Sequence, residues 1–174
     1  MYEEYNAKYN PWYRPIESLE KILKENKYIN KRPVNTNTSN SKVINTTFYK
    51  YLTSEEVLKS FGETSKDINN IALPSPFLSI FPGFNFNILE PLIKEKYEPD
   101  IIIDLMISNP KLEQAKTDCL NFAFKVIEVI KQNKNLNGTC AYCYVKTIQD
   151  YGFREPYKLP YEKFYRLILD LKTS

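Results

Sequence analysis

The sequence has 174 residues and a net charge of +3, and it contains three cysteines and no histidine. The absence of histidine excludes Ser-His and Cys-His catalysis, in which an imidazole is the general base. Three cysteines cannot all pair with one another, and they do not form a spaced disulfide framework. The length suits one domain with an appendage better than two full domains.

The excess positive charge lies in the first third of the chain. Residues 1–53 contain nine Lys or Arg against five Glu, a balance of +4, whereas residues 54–174 contain fifteen against sixteen, a balance of −1. The same third begins with YEEYNAKYNPWYRP, residues 2–15, whose aromatic side chains have no local element to pack on. We therefore predict an N-terminal arm over residues 1–53 whose aromatic side chains are covered by its own domain, a neighbouring subunit or nucleic acid, and we favour the neighbouring subunit. Its predicted subunit contacts are Tyr5, Tyr9, Trp12 and Tyr13.

One amphipathic helix is predicted within the arm, at about residues 15–29. Pro15 suits a first helical position, and apolar residues follow it at helical spacing. Basic residues in and around this helix could neutralise phosphates, although they could equally form its solvated face. Residues 30–47 are polar and are not expected to pack on their own. The predicted nucleic-acid-binding residues are Lys8, Arg14, Lys21, Lys24, Lys27, Lys31, Arg32 and Lys42.

A second helix is predicted at about residues 54–61, where Thr53 and Glu56 have the spacing of a capping box. An apolar loop is predicted over residues 74–86, PSPFLSIFPGFNF, because its three prolines exclude a regular helix. If this loop is exposed, Phe77, Phe81 and Phe84 would contact another subunit, another apolar partner or an envelope; otherwise they belong to the core.

The C-terminal half has the strongest helical periodicity. A short helix is predicted over residues 87–97, whereas residues 99–109 fit either a buried strand or a buried helix. Further helices are predicted over residues 110–133, about 140–151, and from Pro160 onward. The apolar positions of the first of these are Leu112, Ala115, Cys119, Phe122, Ala123, Val126, Val129 and Ile130. The sequence therefore predicts an all-α fold, a small helical bundle over residues 54–174 preceded by an extended arm with one amphipathic helix.

The pair Cys140 and Cys143 has CxxC spacing. At a helix N-terminus the dipole would lower a thiol pKa and favour thiol–disulfide exchange. A metal site of the structural zinc type would need more ligands than these two thiolates supply. The alternative is that small apolar cysteines fill a helix interface.

A nuclease of the PD-(D/E)xK kind needs an Asp on a strand, followed by an acid-x-Lys tripeptide. The neighbouring tripeptide Lys94-Glu95-Lys96 precedes Asp100 and lacks the spacing. Asp100 is interpreted as a helix cap and Asp104 as a surface residue. Four glycines also give no support for a Gly-rich phosphate loop. We therefore predict no enzymatic activity, no cofactor and no bound metal.

The arm YNPWYRPIESLEKILKENKYINKRP and residues 110–172 together resemble, in layout, the major coat proteins of archaeal rod-shaped and filamentous DNA viruses (rudiviruses and lipothrixviruses). The resemblance implies arms that wrap linear double-stranded DNA in A-form and bundles that build a filament wall. It implies a non-enzymatic virion protein that self-assembles through its N-terminal arm in the host cytoplasm and packages DNA by phosphate contacts. A protein-docking adaptor or host-interaction protein of a virus, and a thiol–disulfide oxidoreductase, are the alternatives.

Overall fold

Four helices and seven strands form the described part of the chain. A computed structural model describes residues 11–34, 42–64, 76–89, 96–109, 111–154 and 164–173. The helices are α1 (Tyr13–Glu25), α2 (Lys27–Asn30), α3 (Ser54–Thr64) and α4 (Leu112–Gln132). The strands are β1 (Lys31–Val34), β2 (Lys42–Asn45), β3 (Thr47–Lys50), β4 (Phe77–Leu89), β5 (Lys96–Ser108), β6 (Cys143–Arg154) and β7 (Phe164–Thr173).

Five strands form a central sheet in the order β3-β4-β5-β7-β6. β3 runs parallel to β4, whereas the other neighbouring strands are antiparallel. The chain crosses from β5 through α4 to β6 and then returns along β7, which therefore lies between β5 and β6. β1 and β2 form a separate two-stranded antiparallel ribbon within the polar segment 30–47. The fold is mixed α/β.

The predicted all-α helical bundle is therefore wrong, and the errors fall on the strands. The segments predicted as helices over residues 140–151 and from Pro160 contain β6 and β7, and the predicted loop over 74–86 contains most of β4. The described residues of the predicted helix 87–97 belong to β4 and β5. In β7 the residues Leu167, Leu169 and Leu171 face the helices and alternate as a strand requires. The apolar Ile168 interrupts the polar positions between them, and apolar residues also recur at three and four. Residues 99–109 fit either a strand or a helix from sequence alone, and the structure shows that they belong to strand β5 up to Ser108.

One face of the sheet, which we call the helix-covered face, packs against α1, α2 and α4. The prediction of α4 is confirmed, and seven of its eight predicted apolar positions are buried, with Leu112 as the exception. Alternate residues of the strands supply the other side of this core, among them Leu105 and Leu169. Burying one large apolar side chain in this way stabilises the fold by about 1.5–3 kcal/mol.

The helix predicted within the arm is present as α1 and α2, but it is not part of an extended arm. Ile16, Leu19 and Ile29 are fully buried in the same apolar cluster as α4 and the sheet. The Trp12 indole N–H donates to the Asp100 backbone carbonyl at 2.7 Å, which fixes the start of α1 to β5. Residues on both sides of position 53 thus share one core, and the division of the chain there stays a prediction.

α3 lies on the opposite side of the sheet, which we call the second face. The Glu56 backbone N–H donates to the Thr53 hydroxyl at 3.1 Å, which confirms the predicted N-cap. Val57 of this helix packs with Phe77 and Met106, which point away from the helix-covered face.

Candidate functional site

Large apolar side chains are exposed along the edge strand β6 and on the helix beside it. β6 ends the strand order, and its neighbour among the described strands is β7. Five exposed residues, which we call the β6–α4 surface, lie on β6, just before it, or on α4. They are Phe124, Tyr142, Tyr144, Ile148 and Tyr151. The described residues include nine exposed large hydrophobic side chains, and five of them lie on β6, just before it or on α4. Tyr151 points to the second face of the sheet, where its ring lies 4.8 Å from the Arg166 guanidinium.

The edge strand β6 carries a bulge on each side of residues 147–150. Its register with β7 shifts between Val145 and Thr147 and again between Asp150 and Gly152. The second bulge depends on Gly152, whose φ of +69° is a conformation that glycine adopts without strain. Bulges interrupt pairing along an edge. Residues 147–150 are therefore the regular stretch available for pairing with another strand.

A groove of about 290 Å³ opens between the end of α4 and the start of β6. Its lining includes Lys131 and Lys134 together with the exposed Tyr142 and Tyr144. The Lys134 ammonium lies 5.6 Å from the Tyr142 ring centroid, which is a cation–π distance. The groove therefore adds positive charge and aromatic rings to the β6–α4 surface.

The CxxC pair does not have the environment of a redox site. Cys140 follows α4 in a turn and Cys143 begins β6, so neither thiol lies at the helix N-terminus that was predicted there. Both are free thiols. Burial raises the pKa of Cys143 to about 12 and also raises that of Cys140. The thiolate needed for exchange is therefore disfavoured.

Four of the residues predicted to bind nucleic acid are exposed on α1 and α2, namely Arg14, Lys21, Lys24 and Lys27. They share this side of the molecule with acidic residues, since Glu20 lies 3.2 Å from the Lys24 ammonium and 3.7 Å from that of Lys50. Exposed ion pairs of this kind contribute little stability, but they reduce the net positive charge offered to phosphates.

Three of the other residues predicted to bind nucleic acid, Lys31, Arg32 and Lys42, lie in the β1–β2 ribbon. Lys8 lies outside the described residues, as do the side chains of Lys31, Arg32 and Lys42. Their phosphate contacts stay predictions.

The predicted subunit contacts divide between buried and undescribed positions. Phe77 and Phe81 are buried on the second face, where Phe81 packs with Ile102 and Ile168. Of the two alternatives for this segment, core packing therefore applies to these two side chains. Trp12 and Tyr13 are partly buried, and Trp12 packs on the core. Tyr5, Tyr9 and the side chain of Phe84 lie outside the described residues.

The second face carries buried charges that sequence reasoning assigned to a cap and to the surface. Asp104 is fully buried on β5. Its carboxylate accepts from the Arg166 guanidinium at 3.0 and 2.8 Å and from the Ser54 backbone N–H at 2.9 Å. Arg166 also donates to Glu55 at 3.0 Å. The helix-cap and surface interpretations of Asp100 and Asp104 are therefore wrong, because both lie buried in a strand.

The acid-x-Lys tripeptide that sequence reasoning missed is Asp170-Leu171-Lys172 on β7. The β5–β7 register places Asp100 opposite Lys172 and Ile102 opposite Asp170, so all three charged residues lie on the second face. The Lys172 ammonium donates to the Asp100 carboxylate at 2.7 Å. These two residues are 72 positions apart in the sequence, so a search limited to neighbouring tripeptides could not pair them. The alternating pattern of β7 was the available signal.

No protein-family model matches the sequence, and no curated protein matches it significantly. No helix within the described residues is long and apolar enough to cross a membrane. The resemblance to viral coat proteins stays a prediction, and the helical bundle on which it partly rested is replaced by a sheet. The surfaces and contacts described above therefore carry the functional proposal.

Proposed function

We propose that the protein is a structural subunit whose copies assemble through the β6–α4 surface. The concentration of exposed large apolar residues at one edge of the sheet supports this most directly. Soluble monomers rarely expose large contiguous apolar patches. Covering such a patch is favourable by about 25 cal/mol per Å² of apolar surface.

A second copy fits this edge through symmetry. The backbone donors and acceptors of residues 147–150 would complement their own copy when two strands run antiparallel about a two-fold axis. Ile148 pairs with Leu169 of the helix-covered face, so its side chain lies on the same side of the sheet as α4. Two copies of Ile148 would therefore meet on the side of the sheet that α4 covers. The flanking bulges limit the paired stretch, which favours a closed dimer over an open ribbon.

A virion coat or assembly role with packaged double-stranded DNA is the more specific form of this proposal. Exposed basic residues of α1 and α2, together with Lys131 and Lys134 of the groove, would contact phosphates without reading base sequence. Such contacts release counterions and weaken steeply with salt.

The test is the mass of the purified protein in solution, measured by light scattering over a range of concentrations. We expect dimers or larger assemblies for the wild type. We expect monomers for Ile148→Lys, because the lysine ammonium groups of two subunits would be buried against each other in the interface. Leu52→Lys is the matched control, since Leu52 and Ile148 are both 39% exposed. Leu52 precedes α3, far from β6 in the strand order. A monomeric wild type, or equal masses for wild type and Ile148→Lys, would overturn the proposal.

The same measurement with linear double-stranded DNA separates the finer alternatives. Large particles that form with DNA and dissolve at raised salt would support packaging. DNA-independent assembly would leave a protein-only structural role. A defined one-to-one complex with another protein, without self-assembly, would favour the adaptor alternative.

A further inference from the structure

Three charged residues meet where β5 and β7 pair on the second face, and we call them the carboxylate–lysine cluster. They are Asp100, Asp170 and Lys172. Asp100 is almost completely buried, at 2% exposure, whereas Asp170 and Lys172 are half-buried. Asp170 lies diagonally across from Asp100 in the strand register, a spacing at which side chains of one sheet face interact.

The two oxygens of the Asp100 carboxylate are in different situations. Oδ2 accepts from the Lys172 ammonium at 2.7 Å, whereas Oδ1 is buried and has no hydrogen-bond partner. A buried acceptor without a partner costs about 1–3 kcal/mol, and more when it is charged. Such a group in a native structure calls for a specific cause, and a bound ion is one.

Asp104, on the same strand and the same face, is a carboxylate whose hydrogen-bonding capacity is satisfied at both oxygens. Both of its oxygens accept hydrogen bonds, from two nitrogens of Arg166 and from the Ser54 backbone N–H. Asp100 lies four residues earlier and receives one hydrogen bond from one lysine. An ordinary structural ion pair therefore accounts for Asp104 but leaves half of the Asp100 carboxylate unexplained.

Asp170 adds a second carboxylate on the same face of the sheet, one register step from Asp100. The three residues of the cluster carry two negative charges and one positive charge. A cation between the carboxylates would relieve their repulsion.

The backbone around Asp100 is fixed on two sides. Its carbonyl accepts from the Trp12 indole at 2.7 Å. Gly83 of β4 approaches so closely that an added Cβ would lie 2.7 Å from the Asp100 Cβ. The carboxylate is therefore held in place before any ligand arrives, which favours binding.

We infer that the carboxylate–lysine cluster is a site for one hard divalent cation of the Mg²⁺ or Mn²⁺ class. Asp100 Oδ1 and the Asp170 carboxylate would be its protein ligands, while Lys172 keeps its bond to Asp100 Oδ2. Magnesium is commonly held by one or two carboxylates, with the remaining positions filled by water or phosphate oxygens. The described residues contain no group of three or more acidic, Cys or His side chains arranged for a metal, so water or phosphate oxygens would have to fill the other positions. Lys172 lies opposite Tyr144 of the β6–α4 surface in the β6–β7 register, but neither proposed ligand belongs to that surface.

The test is a titration of the full chain with Mn²⁺ alone, after treatment with a chelator, in which electron paramagnetic resonance measures free Mn²⁺. We expect one saturable site in the wild type and affinity reduced at least about tenfold in Asp170→Asn, since losing a ligand costs no less than losing a supporting residue. Asp118→Asn is the control, because Asp118 of α4 is also partly exposed and lies outside the cluster. No saturable binding by the wild type, or equal binding by Asp170→Asn, would overturn the inference.

Thermal unfolding gives a second readout that also checks folding. A ligand that binds only the folded state raises its stability by mass action, so Mn²⁺ should raise the Tm of the wild type and of Asp118→Asn. Asp170→Asn should fold without the cation, because it removes one of two repelling carboxylates, and its Tm should not respond to Mn²⁺. An equal Mn²⁺-dependent rise in all three proteins would contradict the site.

Discussion

The two faces of the central sheet differ along the same strands, because one is a continuous apolar core and the other mixes small apolar clusters with buried charges. On the helix-covered face, β5 and β7 contribute Leu105 and Leu169 to a continuous apolar core. On the second face, the alternate positions of the same strands include Asp104 and Arg166, which are also buried. Apolar burial stabilises roughly in proportion to area, whereas buried charges must be paired to avoid a penalty. The helix-covered face therefore supplies most of the apolar stabilisation, whereas the second face holds particular charged groups in fixed positions.

The two faces also differ in how fully their buried polar side chains are hydrogen-bonded. Among the described residues, the buried side-chain oxygen and nitrogen atoms without a hydrogen-bond partner are Asp100 Oδ1 and the Ser54 hydroxyl, and both lie on the second face. Breaking a buried pair costs about 3–5 kcal/mol, but replacing both partners by apolar residues is often neutral. Retained charges of this kind are therefore better explained by a positioning or binding role than by stability.

The largest expected effect is on the helix-covered face. Phe122→Ala should lower the free energy of unfolding by about 3–5 kcal/mol, because it leaves a cavity where a buried ring packed. Phe124→Ala, on the same helix but 59% exposed, should change it by about 0.5 kcal/mol or less in the monomer. Urea unfolding of both variants measures the difference. Similar losses for the two would show that the apolar core is not where the contacts place it.

On the second face, Arg166→Ala should lower the free energy of unfolding by about 3 kcal/mol, because it leaves the Asp104 carboxylate buried and unpaired. The double variant Arg166→Met with Asp104→Leu should recover much of this loss, since no isolated charge remains. Urea unfolding of the single and double variants tests it. A double variant less stable than Arg166→Ala would mean that the pair itself stabilises the fold.

The smallest expected effect concerns the cysteines. Wild type and Cys140→Ser should both reduce insulin only at the background rate, because the raised thiol pKa values disfavour the thiolate. The Cys143 pKa of about 12 lies above its ordinary value of 9.0, so the folded state holds this proton more tightly. The resulting stability is fully present below about pH 9 and is lost as the pH rises toward 12. Thiolate absorbance that grows near pH 8 in the folded protein would contradict this.

The helices could be predicted from local sequence. The apolar period of α4 and the Thr53 cap of α3 are signals within a few residues, and both are borne out by the structure. The strands could not be predicted in the same way. In β7 the residues Phe164, Ile168 and Leu171 recur at helical spacing, although Leu167, Leu169 and Leu171 alternate as a strand requires. Both periods fit one short segment, and only a neighbouring strand selects between them.

The candidate sites show the same division between features visible in the local sequence and features that depend on distant contacts. The sequence by itself showed an Asp at position 100, a CxxC pair and the apolar faces of α1 and α4. Only the tertiary structure brought Lys172 and Asp170 to Asp100, left β6 at an edge and buried the thiols. A helix satisfies its backbone hydrogen bonds within its own segment, so its sequence suffices to specify it. A strand satisfies them through partners far along the chain, and so does a site that spans two strands.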